Sequence, residues 1–89
     1  MKIRALTSAQ IRAARALLQW SAADLAKESS VGVNTIRRAE IAGDQIALTA
    51  ANSAMLRGVL EAAGVEFIDE NGGGPGVRLR GRETSKKRR

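Results

Sequence analysis

The stretch that decides the fold is VGVNTIRRAE, residues 31–40, in which β-branched residues run directly into two adjacent arginines. β-propensity alone favours a strand, but a strand would put Arg37 on one face and Arg38 on the other, so neither face would be apolar. A helix over the same residues separates the apolar Ile36 and Ala39 from both arginines. The sequence therefore predicts a short helix with an apolar inner side and a cationic outer side.

Two further helices are predicted upstream from a repeated N-terminal signal. Thr7 followed by Gln10, and Ser21 followed by Asp24, have the spacing of capping boxes, in which two side chains satisfy free N–H groups of a first helical turn. The first helix is predicted to run to about residue 18. The second begins directly after Ser21 and ends within two turns, where serine and glycine residues interrupt it. Three short helices separated by tight turns are therefore expected.

A fourth helix and a β-hairpin are predicted downstream. Thr49 can cap a helix that ends at Gly64. Its apolar stripe consists of Met55, Leu56, Val59, Leu60 and Ala63. VEFID and GVRLR, residues 65–69 and 76–80, alternate in period two around a glycine-rich loop, as a β-hairpin does. The predicted fold is mainly α, a bundle of about four helices followed by a C-terminal β-hairpin.

Composition and charge limit the classes of function. The 89 residues include no cysteine and no histidine, which excludes disulfides, thiolate zinc sites and histidine-based catalysis. Residues 1–77 carry eight basic and eight acidic residues, whereas residues 78–89 account for the whole net charge of +6. We expect one domain over residues 1–80 and a disordered basic tail over residues 81–89. No secretory or membrane-spanning pattern is present, so a cytoplasmic protein is expected.

Several residues stand at the spacing of a known motif. They are Asp24, Leu25 and Ala26 in the second helix, Val31 in the turn, and Ile36, Ala39 and Glu40 in the third helix. With these residues, positions 11–40 resemble the lambda-repressor-like family of bacterial and phage helix-turn-helix regulators, of the Cro and XRE type. The segment EAAGVEFIDENGGGPGVRLR is also similar to the ending of many small regulators of this type. The resemblance implies a homodimer on double-stranded DNA, with the third helix in the major groove. It also implies a cytoplasmic protein associated with the bacterial nucleoid.

The chain departs from the pattern of this family at three positions. Ala22 stands where the family usually has a glutamine that contacts a phosphate, and Ser30 stands where its turn usually has a glycine. A non-glycine residue in the left-handed conformation costs about 1 kcal/mol. Gly32 replaces the usual serine or threonine cap of the third helix, which loses only a few tenths of a kcal/mol. The fold remains accessible, and the basic tail is the candidate replacement for the missing phosphate contact.

The resemblance also implies which residues contact DNA. The predicted base contacts are Val33, Asn34, Arg37 and Arg38. Asparagine pairs with adenine, arginine with guanine, and valine contacts the thymine methyl group, so a site mixing A·T and G·C pairs is predicted. The predicted backbone contacts are Ser21, Ala22, Gly32, Thr35, Lys86, Lys87, Arg88 and Arg89. The alternatives left open are that an arginine contacts only phosphate, or that both arginines merely solvate an exposed face.

Two other sets of residues are expected to have structural roles. The resemblance implies an ion pair between Arg15 and Glu40 that fixes the third helix against the first, and the alternative is that they are two unrelated surface charges. One recognition helix makes few contacts, so pairing of two half-sites by a homodimer is expected. The predicted dimer interface, within residues 55–80, consists of Leu56, Val59, Leu60, Val65, Phe67, Ile68, Val77 and Leu79. Trp20 is expected to pack in the core instead of stacking on a base.

The predicted function is that of a sequence-specific regulator of transcription, a repressor on a two-fold symmetric operator. No enzyme activity, cofactor, metal, small-molecule ligand or membrane contact is expected. NGGGPG lacks the lysine and hydroxyl residue of a phosphate-binding loop, and Glu66, Asp69 and Glu70 are more typical of a solvated strand and turn than of a cation site. The alternatives are an antitoxin or anti-activator that binds a protein, and a nonspecific nucleic-acid-binding protein that uses its basic tail.

Overall fold

A computed structural model of the chain describes residues 6–43, 48–69 and 72–81. Four helices precede two strands: α1 Ser8–Leu18, α2 Ala22–Ser29, α3 Val33–Ile41, α4 Ala50–Ala62, β1 Val65–Ile68 and β2 Gly76–Leu79. This mainly helical domain with a two-stranded antiparallel hairpin confirms the predicted order of elements. Within the described ranges, none of the helices is long and apolar enough to span a bilayer.

The two predicted capping boxes are present at the starts of α1 and α2. Thr7 Oγ1 accepts the N–H of Gln10 at 3.0 Å, and Gln10 Oε1 accepts the N–H of Thr7 at 3.0 Å. Ser21 and Asp24 exchange the same two hydrogen bonds at 2.9 Å. The backbone N–H of Ser21 also holds the pKa of the Asp24 carboxyl below its ordinary value. These bonds satisfy N–H groups that have no partner inside a helix, and so both helices begin where the sequence predicts.

A three-residue turn joins α2 to α3. Ser30 has the left-handed conformation, with φ 64°, and its N–H closes α2 by donating to the Ala26 carbonyl at 2.9 Å. The buried Ser29 hydroxyl accepts the N–H of Val31 at 3.1 Å. Val31 is thereby directed into the core, and α3 begins two residues later in a defined direction.

One apolar core joins the helices and the hairpin. The side chains with no accessible surface include Ile11, Leu25, Ile36, Leu56, Leu60 and Val65. Trp20 packs against this core, as predicted. The burial of Ile36 and Ala39 in α3 confirms that VGVNTIRRAE contains an amphipathic helix and not a strand.

The apolar side of α4 is narrower than the predicted stripe. Leu56 and Leu60 are fully buried and Val59 is half-buried, but Met55 is 49% exposed. α4 packs against α2 and β1, and these two elements cover only the sector around Leu56 and Leu60. Met55 therefore belongs to the surface and not to the core.

The hairpin packs against α1 and α4 and is tied to α1 by a buried glutamine. β1 and β2 are antiparallel, with Val65 opposite Leu79 and Ile68 opposite Gly76. The Gln10 side-chain amide donates to the carbonyl of Gly76 at 3.0 Å and to that of Ile68 at 3.4 Å. The same side chain that closes the α1 capping box therefore also anchors the far end of the hairpin.

Candidate nucleic-acid interface

α3 has a buried side and an exposed side. Ile36, Ala39 and Glu40 are buried against the rest of the domain. The predicted base-contact residues lie on the other side, where Asn34, Arg37 and Arg38 are exposed and Val33 is half-buried. Because residues four apart stack on a helix surface, Val33 and Asn34 lie one turn before Arg37 and Arg38. The structure thus brings the four predicted base-contact residues together on one surface.

The two exposed arginines of α3 form no ion pair within the described part of the chain. Neither the Arg37 nor the Arg38 guanidinium makes an ion pair or a hydrogen bond with any residue in the described ranges. The acidic residue of α3, Glu40, lies on the opposite, buried side. The outer side of α3 is therefore a cationic surface whose charge is not neutralised by the described part of the domain.

The predicted backbone-contact residues lie at the starts of α2 and α3. Ser21 is exposed, Ala22 packs against the core and Thr35 is half-buried. Gly32 precedes α3 and provides no side-chain cap, so the first N–H groups of α3 have no side-chain acceptor. Free N–H groups at a helix start are suitable donors to phosphate. The remaining predicted contacts, Lys86, Lys87, Arg88 and Arg89, lie outside the described residues.

Arg15 and Glu40 form a bidentate ion pair between α1 and α3. Arg15 Nε donates to Glu40 Oε2 at 2.7 Å and Nη2 donates to Oε1 at 2.9 Å. The third donor, Nη1, reaches the Trp20 carbonyl at 2.9 Å. The hydrogen bond to Glu40 raises the pKa of the Arg15 guanidinium. The guanidinium thus donates to three acceptors, two of which are the oxygens of a nearly enclosed carboxylate, and the ion pair fastens α3 to α1.

Two more α1 side chains hold the end of α3, and the sequence patterns did not single them out. The Ser8 hydroxyl donates to the Ala39 carbonyl, and the Arg12 guanidinium donates to the Glu40 carbonyl. The available signal is spacing, because Ser8, Arg12 and Arg15 recur at i, i+4 and i+7 along one polar side of α1. Three polar contacts from one helix therefore converge on the C-terminal end of α3.

The predicted dimer residues divide into buried and accessible groups. Leu56, Leu60, Val65 and Phe67 are buried in the core of the domain itself. Val59, Ile68 and Val77 are half-buried, and Leu79 is 49% exposed. Leu56, Leu60 and Val65 have no accessible surface, and Phe67 is 8% exposed. These four residues therefore offer little or no contact to a second copy that docks as a rigid body, and they support the hairpin from within. The predicted dimer residues that a second copy could contact are therefore the accessible ones, Val59, Ile68, Val77 and Leu79.

The arginines near the hairpin are engaged within the chain. Arg78 pairs with Glu66 at 3.1 Å, a hydrogen bond that lowers the pKa of the Glu66 carboxyl and raises that of Arg78. Arg57 pairs with Glu61 at 3.1 Å, and its guanidinium lies 5.1 Å from the centre of the Phe67 ring. Arg80 donates to the Glu61 carbonyl. These cations are partnered, in contrast to those of α3.

No protein-family model matches the chain, and no curated protein matches its sequence. The chain's own geometry combines a three-residue turn between α2 and α3, a firmly anchored α3 and, on the outer side of α3, arginines that have no acidic partner among the described residues.

Proposed function

We propose that the chain is a sequence-specific regulator that binds double-stranded DNA through α3, with a lambda-repressor-like helix-turn-helix fold. The observation that carries the proposal is the pair of exposed arginines, Arg37 and Arg38, which have no acidic partner among the described residues. The residues before position 78 are neutral overall, so this concentration of free cations is not a general property of the surface. DNA phosphates and guanine edges are the complementary acceptors.

The dimensions of α3 suit the major groove. Its nine residues span about 14 Å, and a single helix fits the groove width of about 12 Å when it lies along the groove. α1 and α2 both pack on its inner side, which leaves the outer side accessible. Asn34 can pair with adenine, and either arginine can pair with guanine through two parallel hydrogen bonds.

The proposed assembly is a homodimer on a two-fold symmetric operator. The N–H of Arg80 donates to the Gly64 carbonyl at 2.7 Å, so the antiparallel alternation directs the backbone groups of Val77 and Leu79 away from β1. This free edge and the exposed Leu79 side chain are suitable for contact with a second copy. Occupancy of a promoter by such a dimer is sufficient for repression.

Selection of binding sites from random duplex DNA at modest salt tests the proposal. The expected result is an enriched two-fold symmetric motif with half-sites about one helical turn apart. Absence of any enriched motif would overturn the proposal.

Removal of an arginine separates base contact from phosphate contact. Arg38→Ala should weaken binding by about 1–3 kcal/mol and relax the preference at one base-pair position. A uniform loss on all sequences would instead assign Arg38 to phosphate. Arg78→Ala is the matched control, because Arg78 is also exposed but is paired with Glu66, and its removal should leave the preferred sequence unchanged.

A second candidate function is favoured by the position of the net charge. Residues 78–89 account for the whole excess of +6, as expected for a protein that binds nucleic acid nonspecifically through a tail. A version ending at Arg80 tests this function by salt titration. Each lost phosphate contact should reduce the log–log salt slope by about 0.9. A regulator would keep its sequence preference after the truncation, whereas a tail-dependent protein would lose nearly all binding.

A further inference from the structure

The C-terminal carbonyls of α3 are held by side chains of α1. The last carbonyls of any helix have no partner inside that helix. In α3, the Ala39 carbonyl accepts from the Ser8 hydroxyl and from the N–H of Ala42 at 3.4 Å, and the Glu40 carbonyl accepts from Arg12. α1 thus supplies side-chain donors to two of the terminal carbonyls of α3.

Ser8 bridges the end of α3 and the residues that follow it. Its hydroxyl donates to the Ala39 carbonyl and accepts the N–H of Gly43 at 3.1 Å. The side chain is buried, and a buried hydroxyl is costly unless its hydrogen bonds are made. Ser8 therefore links the point where α3 ends to the first turn of α1.

Arg12 complements the charge of the helix end. The partial negative charge at a helix C-terminus attracts a cation, and the Arg12 guanidinium donates to the Glu40 carbonyl there. Arg15, one turn further along α1, binds the Glu40 carboxylate. The three α1 residues differ in what they contact, because Ser8 and Arg12 hold the α3 backbone whereas Arg15 holds a side chain.

The start of α3 is held differently, by the turn from α2 and the buried Val31. Gly32 contributes no side-chain cap, and the side-chain contacts from α1 lie at the C-terminal end, so these contacts fix the direction of the helix beyond the turn. A tilt of about 10° about the start displaces the end of a nine-residue helix by about 2 Å. Recognition contacts tolerate displacements of about 0.5 Å. A small loss of anchoring would therefore disrupt base contacts from Arg38 without unfolding the helix.

We propose that Ser8 and Arg12 are positioning residues for DNA recognition, acting through the Ala39 and Glu40 carbonyls to set the direction in which α3 enters the groove. This inference rests on the proposed function, and it assigns part of the sequence specificity to residues that do not touch a base.

The test measures a specificity ratio with the full chain. The ratio compares affinity for the duplex selected by the wild-type chain with affinity for the same duplex carrying one substituted base pair at the position that Asn34 or Arg38 contacts. Ser8→Ala and Arg12→Ala should each lower this ratio roughly threefold to tenfold, the effect of one lost hydrogen bond. Arg12→Lys should restore most of it, because lysine keeps a cationic donor. The Gly43 amide should also exchange faster in Ser8→Ala.

Matched controls come from α4. Ser53→Ala removes a half-buried serine hydroxyl, and Arg57→Ala removes a half-buried arginine, each without touching α3. Neither should change the ratio. Arg12 is exposed, so its variants are expected to fold even if Ser8→Ala does not.

The outcomes separate this inference from the proposed function. An unchanged ratio in Arg12→Ala would overturn the inference while leaving the regulator intact, and a uniform loss of affinity would make Arg12 a phosphate contact. If Arg12→Lys did not restore the specificity ratio, the inference that Arg12 is a positioning residue would also be contradicted. If the wild-type chain selects no motif, both the proposed function and the inference are overturned.

Discussion

α3 and the hairpin carry arginines in opposite states. Near the hairpin, Arg57 and Arg78 each face a glutamate. On α3, Arg37 and Arg38 are exposed with no such partner in the described ranges, because Glu40 is turned inward to Arg15. Both regions contain acidic and basic residues. They differ in whether the acidic residue lies on the same side as the arginines. The placement of the acids, and not the number of cations, decides which surface remains available to a polyanion.

The largest expected effect on stability comes from removing the ion pair on the inner side of α3. Glu40→Ala should lower the free energy of unfolding by about 3 kcal/mol, because it leaves a mostly enclosed guanidinium without its carboxylate. Urea unfolding with an unchanged m-value measures this loss. The control is Glu66→Ala in the hairpin, where both partners are largely solvated and the loss should be much smaller.

Equal losses in these two variants would contradict the comparison. They would show that solvent screens the Arg15–Glu40 pair as much as the hairpin pair, and α3 would then lack its buried anchor.

An intermediate effect is expected where the hairpin meets α1. Gln10→Glu keeps an acceptor for the N–H of Thr7, as in many capping boxes, but it cannot donate to the carbonyls of Gly76 and Ile68. The expected loss is about 2 kcal/mol, the penalty for leaving buried acceptors unsatisfied. The loss should shrink as the pH falls, because the protonated carboxyl regains a donor.

The corresponding residue of the second capping box provides the control. Asp24 is exposed and its side chain accepts from Ser21 alone, so Asp24→Glu should be nearly silent. A similar loss in both variants would mean that Gln10 acts only as a cap and does not anchor the hairpin.

The smallest expected effect is a pH dependence confined to the hairpin. Arg78 lowers the pKa of Glu66 below its ordinary value of 4.5. A carboxyl whose pKa is lowered in the folded state stabilises the fold at pH values above its unfolded-state pKa. This stabilisation is lost as the pH falls through the folded-state pKa. The urea concentration at the unfolding midpoint is expected to decrease as the pH is lowered from about 6 to about 3, and this decrease should be slightly smaller in Glu66→Gln. Arg37→Ala should leave this profile unchanged, and an equal flattening in both variants would contradict the assignment.

Local signals in the sequence were sufficient for the helices and the hairpin. Capping pairs depend on residues three apart, and alternation identifies strands, so Thr7, Ser21 and the order of elements could be predicted. The Arg15–Glu40 pair came from the resemblance and not from spacing.

Contacts between elements could not be predicted in the same way. The second role of Gln10 joins residues 66 positions apart, and the Ser8 contact with the Ala39 carbonyl joins residues 31 apart. No local pattern distinguishes a serine that reaches another helix from one that faces solvent. The width of the α4 core side was also overestimated, because the exposure of Met55 depends on which elements cover that helix.

The one-sided anchoring of α3 has a consequence for how this chain can diversify. Asn34, Arg37 and Arg38 point away from every element that holds the helix, so substitutions there should cost little stability. Under the proposed function, the DNA sequence that the chain prefers can therefore change, by evolution or by design, while the fold stays intact. The exposed side chains of α3 can be replaced one after another, because the buried contacts on its inner side keep the helix in place.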